Sequence, residues 1–154
     1  MRNLLILAMI IGIAALALRH PLSPFAITPP PIENVAARFA LCPKAANSAC
    51  VIDGDTFRYK GRRIRIIGID APELFPSRCA AERQKGEAAR TALRDLLNSG
   101  AFIMTGDAHD QYGRELRTIT RNGKDLGLVL ADKGLVHAST PFEATPDWCG
   151  QGLF

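Results

Sequence analysis

The stretch that decides the fold is IDGDTFRYKGRRIRIIGIDAPE, residues 52–73. Thr56 to Tyr59 and Arg62 to Ile69 alternate with the period of half-buried strands, and Lys60-Gly61 between them supplies a turn. The alternation turns Ile64 and Ile66 inward and puts Arg63 and Arg65 together on the other face. Pro72 stops the strand. Within these 22 residues lie three aspartates, one glutamate and five Arg or Lys. Solvated strand faces and turns explain some of that charge. A site that holds a cation and an anionic substrate together explains all of it.

Upstream, Cys50-Val51-Ile52 reads as a strand. Downstream, Ala89, Leu93, Leu96 and Leu97 recur at helical spacing within residues 79–98, with Ser99-Gly100 at the end and Gly86 as the expected start of the regular helix. Ala101–Thr105 and Leu116–Thr120 read as two further strands, and Asn122-Gly123 as a tight turn. Leu126–Lys133 reads as a short helix, with Asp125 as N-cap and Gly134 past its end, and Leu135–Ala138 as a last strand. Three strands, a helix, two strands and a helix predict an α+β fold: a small five-stranded OB-type β-barrel with two to three helices.

The termini frame this domain. The chain has 154 residues and a formal charge of +4, from 19 basic and 15 acidic side chains. So mild an excess permits a polyanionic partner without demanding one. Residues 4–18 form an uncharged apolar run between Arg2 and Arg19. Fifteen residues suit a signal-peptide core better than a spanning helix, which needs about 20. Residues 1–19 are therefore expected to be a signal peptide or a membrane anchor, and the domain to be exported: secreted, periplasmic or anchored on the outer face. Residues 20–40, with five prolines before Ile32, are expected to be a linker, leaving 41–154 as the folded domain. In an exported small domain, four cysteines (Cys42, Cys50, Cys79 and Cys149) point to two disulfides. Three pairings exist on paper. Cys42 with Cys50 closes a short loop and leaves Cys79 with Cys149 to tie down the tail. Zinc is disfavoured because no CxxC spacing occurs and the histidines are scattered.

The chemistry concentrates in two places. Asp53 and Asp55 flank Gly54, whose flexibility is expected to bend the turn, and Asp70 follows Asp55 by 15 residues at the end of the third strand. Hard oxygen donors without His or Cys suit Ca²⁺ or Mg²⁺. Glu73, on a loop anchored by Pro72, is placed to orient or deprotonate water, and Arg65 to pair with carboxylates or bind phosphate. The second place is Asp110-Gln-Tyr-Gly-Arg114, where a second guanidinium begins a strand.

VIDGDT (51–56), RIRIIGIDAPE (63–73) and DQYGR (110–114), in this order and spacing, resemble the staphylococcal (micrococcal) nuclease family, also called thermonuclease-like. The resemblance covers about residues 49–138. It implies an OB-type barrel and Ca²⁺-dependent cleavage of DNA and RNA phosphodiesters that leaves 3′-phosphate ends. It makes Asp55 and Asp70 the metal-binding carboxylates, Asp53 a supporting acid and Ala71 the donor of a backbone carbonyl to calcium. It makes Glu73 the general base, Arg65 and Arg114 the phosphate-activating arginines, and Tyr112 a contact to a substrate phosphate. The chain departs from the family in three respects. Gln111 replaces a lysine, no tyrosine follows Tyr112, and residues 139–154 are too few for the long C-terminal helix. Base stacking contributes about 1–3 kcal/mol per base, so weaker substrate binding is expected. Trp148, next to Cys149, is expected to shield the barrel instead. The partner is DNA and/or RNA, the chain a monomer, and membrane attachment runs through residues 4–18 if that segment is retained. Two other classes compete: a catalytically weak OB-type module that binds single-stranded nucleic acid, and an envelope-anchored scaffold. Both leave the Asp/Glu/Arg set unexplained, because carboxylates repel a polyanion unless a cation lies between them.

Overall fold

The computed structural model describes residues 29–43, 49–140 and 144–150. The expected signal or anchor (1–19), the proline-rich stretch to residue 28 and residues 151–154 lie outside them. Among the described residues, no helix is long and apolar enough to cross a membrane.

Among the described residues, ten short strands and two helices follow one another: β1 (Ile32–Val35), β2 (Ala40–Leu41), β3 (Cys50–Val51), β4 (Thr56–Tyr59), β5 (Arg62–Ile66), β6 (Ile69–Asp70), α1 (Ala80–Asn98), β7 (Phe102–Thr105), β8 (Glu115–Arg121), β9 (Lys124–Asp125), α2 (Leu126–Asp132) and β10 (His137–Ala138). The main sheet runs β1-β7-β8-β5-β4-β3-β2, with β9 on β8, while β10 and β6 pair separately. It is mixed, with parallel pairs at β5–β8 and β2–β3.

Chain length forces this sheet to curl. Flat, β1 and β2 would lie six inter-strand steps apart, about 29 Å. Only residues 36–39 join Val35 to Ala40, a reach of at most about 18 Å. The two ends of the sheet must therefore approach each other, which gives the half-barrel of an OB-type α+β fold. Phe39, in the joining segment, fills the gap. Its ring lies 5.5 Å from Phe57 and 6.0 Å from Phe102, and its backbone exchanges two hydrogen bonds with the Asn98 side chain on α1.

The inward faces follow the alternation: Phe57, Ile64, Ile66, Met104 and Ile119 are fully or almost fully buried. α1 lays Ala89, Leu93 and Leu97 on this core, and α2 adds Leu126 and Leu130. Asp125 caps α2 by accepting from the Gly127 and Leu128 backbone N–H groups. Asn122 and Gly123 both have positive φ, as the tight β8–β9 turn requires.

The structure corrects the sequence reading in three places. The linker expected through residue 40 is fold from Ile32 onward: β1 pairs antiparallel with β7, Ile32 opposite Thr105, and Val35 is fully buried. Prolines 29–31 end just before it. The strand expected to run to Ile69 breaks at Ile67-Gly68, where Gly68 adopts φ +81°. And α1 begins at Ala80, passing straight through Gly86. A Cβ at Gly86 would lie 2.9 Å from both Leu74 Cγ and the Pro72 carbonyl, so this glycine lets the helix press onto the 72–74 loop.

Both disulfides form, Cys42–Cys50 and Cys79–Cys149. The second ties the tail to the start of α1. Trp148 is buried there, outside the main core, with its backbone carbonyl 3.4 Å from Lys85 Nζ.

Candidate active site

The β4–β5 hairpin brings the first charged groups together. Thr56 and Arg65 are register partners, and the Asp55 carbonyl accepts from Ile66 N–H at 2.8 Å. Arg65 reaches two carboxylates at once: one Nη lies 2.8 Å from Asp55 Oδ2 and the other 3.1 Å from Asp70 Oδ1. Asp55 is almost completely buried and also accepts from Thr56 Oγ1 at 2.8 Å and from Ala71 N–H at 3.1 Å. Asp53 accepts from the Asp55 backbone N–H, which holds the turn together.

Gly54 acts differently from the expected flexible bend. Its φ is not positive. A Cβ there would instead lie 2.7 Å from Ala89 Cβ and 2.8 Å from Ala71 Cβ. The missing side chain lets the Asp53–Asp55 turn sit against α1 and the segment after β6.

Burial sets the electrostatics. It pushes the Asp55 carboxyl up to about 7, with the Asp53 charge adding to the rise and Arg65 opposing it. Asp53 is raised by burial. Glu73, on the exposed loop after Ala71-Pro72, is raised by its partial burial and then by the Asp55 charge. Arg65 loses stability as a cation through burial but gains more from Asp55 and Asp70, so its affinity for the proton rises. One guanidinium thus serves a surplus of negative charge.

The donor set bears on a cation. Among the described residues, no group of three or more His, Cys, Asp or Glu is gathered closely enough to enclose a metal ion by itself. Yet Asp70 Oδ2 is buried with no hydrogen-bond partner. A lone carboxylate oxygen of this kind is costly unless a cation or water faces it. Two hard carboxylates short of countercharge, with one oxygen unsatisfied, fit an oxygen-seeking divalent ion that completes its shell with water or substrate.

Arg114 and Tyr112 form a separate unit. Asp110 accepts from the Tyr112 and Arg114 backbone N–H groups and from Arg114 Nε, the last at 2.6 Å. These bonds, chiefly that from the Arg114 backbone, hold Asp110 below the usual carboxylate range against the effect of burial. The Arg114 guanidinium lies 5.6 Å from the Tyr112 ring, and Tyr112 is exposed. No hydrogen bond joins this unit to the Asp55–Arg65–Asp70 cluster. They are nonetheless close in the fold. Leu116 is the register partner of Arg65 across the parallel β5–β8 pair, and Arg114 stands two residues before it, just ahead of β8. A groove of about 740 Å³ beside Arg65 is lined by Ile67, Leu116, Thr118 and Leu128, among others.

The sequence reading missed Glu82. It is fully buried in the first turn of α1 and accepts from the Arg78 backbone N–H and the Arg78 guanidinium. Arg78 above all holds its carboxyl below the usual range. The signal lay in Cys79-x-x-Glu82, the capping-box spacing with cysteine in place of Ser or Thr. Indeed Cys79 Sγ accepts from Glu82 N–H.

A profile of the family described as staphylococcal nuclease homologue matches residues 63–147, more than half of the chain. The chain belongs to this family. The matched span begins inside β5, so Asp53 and Asp55 lie just ahead of it, while Arg65, Asp70, Glu73 and Arg114 lie within. The succinoglycan biosynthesis protein ExoI of Rhizobium meliloti (strain 1021) is 35% identical over 92 residues, which cover 56% of this chain and 48% of that protein. The chain therefore spans about half the length of this relative.

Proposed function

We propose that the chain is an exported, monomeric, Ca²⁺-dependent nuclease that hydrolyses phosphodiester bonds of DNA and/or RNA. The observation that supports this best is the Asp55–Arg65–Asp70 unit, with Asp55 buried, an unsatisfied Asp70 oxygen and Glu73 on the adjoining loop. Asp55, Asp70 and the Ala71 carbonyl would hold the calcium, with Asp53 in support. When bound, the ion supplies the positive charge that lets a phosphodiester approach the carboxylates.

The chain's own residues do the rest. Glu73, its proton affinity raised by burial and by Asp55, accepts a proton from the attacking water. Arg65, held by two carboxylates, and Arg114, held through Nε by Asp110, stabilise the negative charge that grows on the phosphoryl oxygens. The Arg114 Nη atoms make no hydrogen bond among the described residues, leaving that fork for phosphate. Tyr112, exposed beside Arg114, contacts a neighbouring phosphate.

The test is cleavage of plasmid DNA and of RNA by the full-length chain, in Ca²⁺ and in EGTA. Cleavage is expected only with Ca²⁺, and Arg65→Ala is expected to lower it about 10²–10³-fold. Equal cleavage in both media removes the metal from the proposal. Oligonucleotide binding without cleavage selects the single-strand-binding module instead. Unchanged turnover in Glu73→Gln takes away its role as base. N-terminal sequencing of the exported protein separates a cleaved signal from a retained anchor.

A further inference from the structure

A second groove, of about 490 Å³, opens on the outer side of the β4–β5 hairpin, lined by Ile52, Arg58, Arg63, Phe75 and Arg90 beside the Cys42-Pro43 turn. Arg58 and Arg63 are direct register partners across the hairpin. Like charges placed opposite one another destabilise a sheet. Among the described residues neither guanidinium has a carboxylate partner, whereas their neighbours Arg62 and Arg65 each have two. Phe75 adds a second anomaly. Its ring is 62% exposed, on the loop that carries Glu73, and lies 5.9 Å from the Arg90 guanidinium. Arg90 itself is buried and fixed by the Val51 and Cys42 carbonyls, with Glu87 3.7 Å from its far Nη. The groove thus combines two unpaired cations, a fixed third one and an exposed aromatic face, and no acidic residue lines it.

Its position gives the arrangement a use. By strand alternation Arg58 and Arg63 share the face of Thr56 and Arg65. The basic stripe therefore starts at Arg65 and moves outward by about 7 Å per two strand residues, of the order of one nucleotide in an extended strand. We propose that this groove binds the single-stranded stretch that flanks the scissile phosphate. Arg58 and Arg63 take backbone phosphates, and a base stacks on Phe75. An unpaired strand is required because a duplex hides the faces of its bases. The placement beside a scissile phosphate rests on the nuclease reading above; the binding itself does not.

The experiment measures binding of a fluorescently labelled single-stranded oligonucleotide to the full-length chain in EDTA, by anisotropy across a salt series. A parallel assay follows cleavage of a long single strand and of a dinucleotide in Ca²⁺. The double substitution Arg58→Ala with Arg63→Ala removes a like-charge pair and leaves Phe57 and Ile64 in the core, so the fold is retained. It is expected to reduce the slope of log K against log salt by about 1.4, or about 0.7 for each phosphate contact. It is also expected to raise KM for the long strand while leaving dinucleotide turnover unchanged. Phe75→Ala is expected to weaken single-strand binding about tenfold, within the range of one stacked base, with the salt slope unchanged and no effect on a duplex. An unchanged salt slope in the double variant overturns the proposal, as does a wild-type chain that binds no oligonucleotide. An inert Phe75→Ala overturns the stacking contact. Loss of slope in a wild-type background that cuts nothing keeps the groove and sinks the nuclease reading; normal cleavage with unaltered slope and KM does the reverse.

Discussion

Glu82→Gln tests how the loop bearing Glu73 is held. The carboxylate has no exposure and gathers two kinds of donor from the end of that loop: the Arg78 guanidinium and the Arg78 backbone N–H. The Arg78 side chain is 53% exposed, so solvent screens that ion pair and it contributes little. The Arg78 backbone bond to a charged, buried acceptor carries the effect. For one such bond the loss amounts to about 2 kcal/mol. Urea unfolding at pH 7 should show this as a lower midpoint with an unchanged slope. Because the loop shifts while the phosphate-binding arginines stay, kcat should fall with little change in KM. Acid should erase the difference. Glu82 titrates below its unfolded value, so its stabilisation is present above the ordinary glutamate range and is lost as pH falls through the lowered pKa. Arg78→Ala alone should move the midpoint far less than Glu82→Gln does. If Glu82→Gln unfolds within about 0.5 kcal/mol of wild type and keeps its kcat, the anchoring argument is wrong.

Three further outcomes are expected. Gly86→Ala should destabilise, against the usual gain of about 1 kcal/mol for this change inside a helix, because the new methyl lies 2.9 Å from Leu74 Cγ and the Pro72 carbonyl; overpacking of this kind costs about 1–3 kcal/mol, read by thermal melting, and activity should fall with it. Opening Cys79–Cys149, which spans 70 residues, should cost about 4 kcal/mol in the chain-entropy account, and opening Cys42–Cys50, which spans 8, about 2.5 kcal/mol; unfolding of the paired alanine variants checks the order. In chelator, stability should rise as pH falls from 8 toward 5, because Asp55 binds a proton at about 7 when folded and near 3.8 when unfolded, so its favourable contribution is lost as pH rises through 7; Asp55→Asn should flatten that slope.

Much of this was legible in the chain. Ile64 and Ile66 inward with Arg63 and Arg65 outward, Asp125 as cap and Asn122-Gly123 as turn are short-range patterns whose physics lies in adjacent residues. The meeting of Asp55, Arg65 and Asp70 followed from one hairpin and the strand after it. What escaped depends on distant partners. β1 has four residues and takes its meaning from β7, its neighbour in the sheet but far along the chain. Gly54 read as a flexible bend and Gly86 as a helix start because a sequence does not display the atoms that crowd a missing Cβ. Glu82 escaped because its donors come from a loop folded back over it. Arg114 was expected beside Arg65 at the phosphate; it stands just ahead of β8, and its Nε is held by Asp110.

The pairing of Ile32 with Thr105 also orders events in time. As the chain leaves the ribosome, the hairpin bearing Asp55 and Arg65 can zip locally, since its contacts close over a few residues. β1 must wait, its Val35 still facing water, until most of the domain has been translated. Contacts of such separation are slow to form. The barrel's last seam is therefore sewn by its first-made strand, and slow closure there leaves a sticky edge open to neighbouring nascent chains.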